Sequence, residues 1–88
     1  MVARRNFLVQ EPSGRFRLTI LNGDKKGKRR VSSAIVRING EMIAGPNEFN
    51  QQVEQMSFSV SLLKENTLEV EVRGQPGGRL IITVTPPG

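Results

Sequence analysis

The chain contains no cysteine, no histidine, no tryptophan and no tyrosine. Without cysteine there is no disulfide framework, no thiolate nucleophile and no thiolate metal site. Without histidine the commonest general base and the commonest transition-metal ligand are both missing. Asp24, seven glutamates, lysines and hydroxyls are what remains for acid, base or nucleophilic chemistry. That is a poor catalytic set, and it points away from an enzyme. Aromatic side chains are limited to four phenylalanines. Apolar runs fall far short of the roughly 20 residues that cross a bilayer as a helix. The first ten residues, MVARRNFLVQ, hold two arginines but lack the apolar centre of a secretory signal.

What the chain does have is positive charge, unevenly spread. The formal net charge is +5 over 88 residues, a length that fits one domain spanning 1–88. Residues 1–37 carry ten Lys/Arg against Glu11 and Asp24, which is 10 − 2 = +8. Residues 38–88 carry three against six glutamates, which is 3 − 6 = −3. Such a chain attracts an external polyanion, and it also attracts another copy of itself head to tail.

The dominant pattern has period two. Phe16, Leu18 and Ile20 alternate with Arg17 and Thr19, and Ala34, Val36 and Ile38 with Ile35 and Arg37. Phe58, Val60 and Leu62 alternate with Ser57, Ser59 and Ser61, Leu68, Val70 and Val72 with Glu69 and Glu71, and Leu80, Ile82 and Val84 with Ile81 and Thr83. These five stretches read as half-buried β-strands. Phe7–Val9 and Glu41–Ala44 add two shorter ones, and residues 1–15 form an N-terminal extended segment. Turn signals stand between them at Pro12–Gly14, Asn22–Asp24, Gly45–Asn47, Lys64–Asn66 and Gly74–Gly78. Ile38-Asn-Gly-Glu41 predicts a two-residue type I′ hairpin, with positive φ at both central residues. Only the stretch 47–55 breaks the rhythm, and it has room for a helical or 3₁₀ turn, or for extended chain. Pro86-Pro-Gly88 stops the last strand or begins a linker. About seven short strands at this spacing predict an all-β, antiparallel, Ig-like sandwich, with a small open barrel as the alternative. Its core is expected at Leu18, Ile20, Val36, Ile38, Phe58, Val60, Leu68, Val70, Val72, Leu80, Ile82 and Val84.

The order of pieces Asn22-Gly-Asp24, Arg30–Ala34, Ile38-Asn-Gly40, Pro46–Val53, Asn66-Thr-Leu68 and Gly74–Gly77 resembles a small all-β module recurring in exported bacterial proteins, beside lectin-like or Ig-like surface domains. The likeness spans about residues 16–84 and leaves 1–15 outside it. It implies a structural or accessory role, an extracellular or cell-surface location, and no catalytic residues to carry over. The N-terminal sequence itself carries no signal and leaves the cytoplasm open.

The densest feature is Lys25, Lys26, Lys28, Arg29 and Arg30, five cations in six positions. Its two readings are a solvated turn and a contact for a polyanion, nucleic acid or anionic glycan. It is not a P-loop: three residues rather than four separate Gly23 from Gly27, and Arg29 stands where Ser or Thr would hold magnesium. Asp24, Asn22 and Glu65 lack calcium-loop spacing, and Lys25 and Lys26 repel a cation. Glu69 and Glu71 lie about 7 Å apart on one strand face, as a wet face requires, whereas glycosidase acids flank a cleft. Arg4, Arg5, Phe7, Leu8 and Val9 form a segment suited to adding to a sheet edge, either its own or a neighbour's. The expectation is a non-enzymatic structural and protein–protein interaction module that self-assembles through its basic and acidic halves. The alternative is a polyanion binder using residues 25–30. No cofactor, metal or small-molecule substrate is indicated.

Overall fold

A computed structural model describes residues 2–23, 28–49, 53–73 and 78–86. Among these residues seven strands form, in chain order: β1 (Val2–Leu8), β2 (Phe16–Asn22), β3 (Ser33–Ile38), β4 (Glu41–Ala44), β5 (Gln55–Val60), β6 (Glu65–Arg73) and β7 (Leu80–Thr85). One sheet has the order β1-β6-β3-β4 and the other β5-β2-β7, every neighbouring pair antiparallel. The alternation of side chains makes each sheet apolar on one face, and the two faces close on each other as a sandwich. In a variable-type Ig domain, the last strand flanks F and the first flanks B. With β6, β3 and β4 in the places of F, C and C′, β1 fills the last strand's place and β7 the first strand's.

Leu18, Ile20, Ala34, Val36 and Ala44 are fully buried at the centre. Every residue expected in the core belongs to this cluster or packs against it. Phe16, Val31, Phe49 and Leu62 are buried with them. Phe49 follows a single 3₁₀ turn, Pro46–Glu48, which occupies the start of the stretch where the strand rhythm fails. Asn39 and Gly40 have φ of 52° and 84°, the two left-handed residues of the type I′ hairpin. A Cβ at Gly40 would meet nothing within 4 Å. Gly40→Ala should therefore cost only about 1 kcal/mol, the backbone penalty alone, read from the chemical-denaturation midpoint.

Two features of the interior depart from the sequence reading. Lys64–Asn66 is not a turn: β6 begins at Glu65, and the turn lies before it. Asn66 makes that turn from inside, its Oδ1 accepting from Leu63 N at 2.8 Å and its Nδ2 donating to Leu63 O at 2.7 Å. Asn22 repeats the device. Its Oδ1 accepts from Val31 N at 2.7 Å, and its Nδ2 donates to Val31 O at 3.0 Å and Val53 O at 3.1 Å. Both asparagines are buried, and each uses its carboxamide as a peptide group would be used in a ladder. Ile35 points outward yet is buried, beside Glu71 and Arg37.

Candidate functional site

The register settles where the charges go. On the outer face of the four-stranded sheet, Arg4 of β1, Glu69 of β6 and Arg37 of β3 lie in one cross-strand row. Arg4 Nη2 approaches Glu69 Oε2 at 2.8 Å, and Arg37 Nη1 approaches Oε1 at 3.1 Å. Arg73 pairs with Glu71 two residues along the same strand, at 2.6 Å. Outward positions here hold three arginines (Arg4, Arg37, Arg73) and three glutamates (Glu65, Glu69, Glu71), so the face is balanced. The hydrogen bond from Arg4, reinforced by the positive charges of Arg4 and Arg37, holds the Glu69 carboxyl below the usual carboxylate range.

The stabilisation that follows is complete above the ordinary glutamate pKa and is withdrawn as pH falls through the lowered one. Acidification should therefore loosen β1 from β6 first, seen as a fall in amide protection factors at β1. Glu69→Gln should abolish that pH dependence.

The outer face of the three-stranded sheet is different. Its outward positions are Arg17, Thr19 and Leu21 on β2, Gln55, Ser57 and Ser59 on β5, and Ile81, Thr83 and Thr85 on β7. None is a carboxylate. Arg15, just before β2, and Arg79, just before β7, continue the same alternation. Arg15 lies flat across β5: Nε donates to Ser59 Oγ at 3.1 Å, Nη1 to Ser61 Oγ at 3.0 Å, and Nη2 to the Ser59 carbonyl at 3.1 Å. These partners are neutral, so the guanidinium is oriented but keeps its charge. Arg15, Arg17, Ser57, Ser59, Thr85 and Pro86 line one shallow depression, together with Phe16 and Phe58.

The basic loop leaves from the other end of this face. Lys25 and Lys26 lie outside the described residues, as do Asp24 and the Gly74–Gly77 turn. Lys28 and Arg29 are exposed and Arg30 is half-buried. Both stems of the loop are fastened to one residue: Gly23 N donates to Arg79 O at 2.7 Å, and Arg79 N donates to Arg29 O at 2.9 Å. Gly23 has φ of 95°, and a Cβ there would sit 2.5 Å from the Lys28 carbonyl oxygen. Gly23→Ala must therefore open the base of the loop, a far larger disturbance than Gly40→Ala. Gly23, just past the end of β2, is six residues from Arg17, so about 20 Å of strand separates Arg17 from the stem of the loop. Glu54, exposed at the loop end, passes its carbonyl to Asn22 N at 2.8 Å.

The strand-addition segment forms β1 and pairs with its own β6 from Val2↔Glu71 to Leu8↔Glu65. Phe7 and Val9 pack against the core, while Leu8 is 78% exposed. Arg5 shares the inward side with Phe7 but stays exposed, its Nη1 donating to the Arg4 carbonyl at 3.2 Å. An inward-directed charge on an edge strand discourages edge-to-edge pairing. The basic loop, which leads from β2 of one sheet to β3 of the other, and β1 are thus separate features. Arg15 and Arg17 were visible in sequence only as polar positions flanking Phe16. Their joint placement required the β2–β5 register.

Among the described residues, no group of three or more Asp or Glu is gathered to hold a metal. Among them, too, no helix is long and apolar enough to cross a membrane. Compared with known protein families, curated proteins and solved structures, the chain matches none.

Proposed function

We propose that this protein is a non-catalytic binding module whose partner is a polyanion, held along the outer face of the three-stranded sheet and the basic loop at its end. One observation carries the reading: Glu69 and Glu71 of β6 are paired with Arg4, Arg37 and Arg73 on one sheet, while the other sheet presents arginines with no carboxylate among its outward positions. The net charge is thereby concentrated on one side, where it raises the local concentration of anions and speeds their encounter. Catalysis has little to work with, since the outward positions of that face are hydroxyls, arginines, one amide and two aliphatic side chains. The likeness to modules of exported bacterial proteins is the ground for expecting the partner outside the cell. The test is a salt titration of binding to heparin, RNA and DNA. Binding that steepens at low salt and weakens when Lys25, Lys26, Lys28 and Arg29 are changed to serine supports the reading. Absence of binding to all three at low salt refutes it.

A second reading, self-association, is favoured by the pairing of β1 with β6. β1 carries Arg4 and Arg5, +2, and β6 carries three glutamates and Arg73, −3 + 1 = −2. The basic-to-acidic contact exists within the chain, and among the described residues β1 pairs with one strand, β6, and lies at the edge of its sheet. The same contact made between copies would be a strand exchange. Sedimentation at high concentration and low salt that shows only monomer excludes it.

A further inference from the structure

We infer that Arg15 and Arg17 form a specific oxyanion subsite for the sulfate or carboxylate groups of an extended acidic polysaccharide. The inference rests on the polyanion reading and names its ligand class. Three observations carry it. The first is preorganisation: of the five N–H donors of Arg15, three are directed to Ser59 Oγ, Ser61 Oγ and the Ser59 carbonyl. The side chain is held in one place while the remaining donors and the whole charge stay available, so little rotamer freedom is lost on binding. The second is spacing. Arg17 projects from the same face two residues on, about 7 Å away, with the Thr85 hydroxyl bonded to its carbonyl at 3.4 Å. A tetrahedral or planar oxyanion seated between them receives charge-assisted hydrogen bonds from two guanidinium groups.

The third observation concerns the surroundings. Thr19, Ser57, Ser59, Thr83 and Thr85 present hydroxyls beside the two arginines, donors and acceptors matched to the hydroxyls of a sugar ring. A single-stranded nucleic acid needs aromatic platforms for its bases. Here Phe7, Phe16, Phe49 and Phe58 all belong to the core or pack against it, and Phe16 and Phe58, though they border the depression beside Arg15 and Arg17, occupy inward positions of the sheet. The face therefore suits a ligand that is anionic and hydroxylated but not stacked. The strand direction sets the ligand's course, from Arg15 along β2 toward the loop.

The experiment compares heparin with single-stranded and duplex DNA of equal charge, on the intact protein and on three variants. Arg15→Lys with Arg17→Lys keeps both charges but loses the fork. Heparin affinity should fall about tenfold or more, from the loss of charge-assisted hydrogen bonds, with the salt slope unchanged. Ser61→Ala removes one support of Arg15 and should weaken heparin severalfold, again at constant slope. Inorganic sulfate should shift the amide signals of Arg15, Arg17 and Ser59 in an NMR titration. Undiminished heparin binding in the double lysine variant, while the serine variant of the loop is weakened, overturns the subsite and leaves the polyanion reading standing. Tighter binding of either DNA than of heparin overturns the ligand class. Absence of all binding overturns both.

Discussion

Asn22→Ala should lose about 3 kcal/mol of stability, a large part of the 5–15 kcal/mol that small domains possess. The carboxamide is fully buried, and truncation leaves Val31 N–H, Val31 C=O and Val53 C=O without the partners described above. Each buried backbone group deprived of its hydrogen bond costs about 1–3 kcal/mol, partly recovered where water enters the space. The thermal midpoint should fall by about 15 °C for a domain of this size. Asn22→Asp is the sharper variant, since it keeps the volume and the acceptor for Val31 N–H but sets a carboxylate against two carbonyls. Burial and those dipoles raise the folded-state pKa of such a group, so the deficit is largest at neutral pH and shrinks on acidification as the acid protonates. Asn6→Ala is the control. Asn6 is exposed and its Oδ1 accepts from the Thr67 hydroxyl at 3.1 Å, and its loss should change stability by no more than about 0.5 kcal/mol. An Asn22→Ala protein as stable as the control would show that the base of the basic loop is not held from inside.

The second large effect is on binding. Changing Lys25, Lys26, Lys28 and Arg29 to serine should weaken heparin binding by about a hundredfold at low salt and flatten the dependence of log K on log salt by about 3, since each cation contributes roughly 0.7 to that slope on a flexible polyanion. Arg30 is left in place because it is half-buried at the foot of the loop. The fold should survive, because the stems are fastened by backbone bonds between Gly23, Arg79 and Arg29. A loop that served only as a solvated turn would lose its charges with no change in slope.

The strands were legible because alternation is a local signal. Leu18, Ile20 and Val36 are inward wherever the sheets lie, and Asn39-Gly40 dictates its own turn through two positive φ values. The charge partition was not legible. Arg4 and Glu69 are 65 residues apart in sequence, and only the β1–β6 register places them opposite one another. The same holds for Arg15 and its serines, 44 and 46 residues away. Asn22 and Asn66 carry turn signals in sequence, and both do sit beside turns. What the sequence hides is that each is buried and bonds to backbone, because an asparagine has the same composition whether it faces water or mimics a peptide. The uneven halves of the chain thus resolve into uneven faces of the sandwich.

The most direct measurement of that unevenness is the salt slope of heparin binding for two sets of arginine variants. Arg15→Ser with Arg17→Ser alters the unbalanced face, and Arg4→Ser with Arg37→Ser alters the balanced one. The first pair should reduce the slope by about 1.4, at roughly 0.7 per cation removed. The second pair should change heparin binding far less, because both arginines already bond Glu69 on a face that holds as many glutamates as arginines. Equal losses in both pairs, or the greater loss in the second, would contradict the assignment of the three-stranded sheet as the binding face.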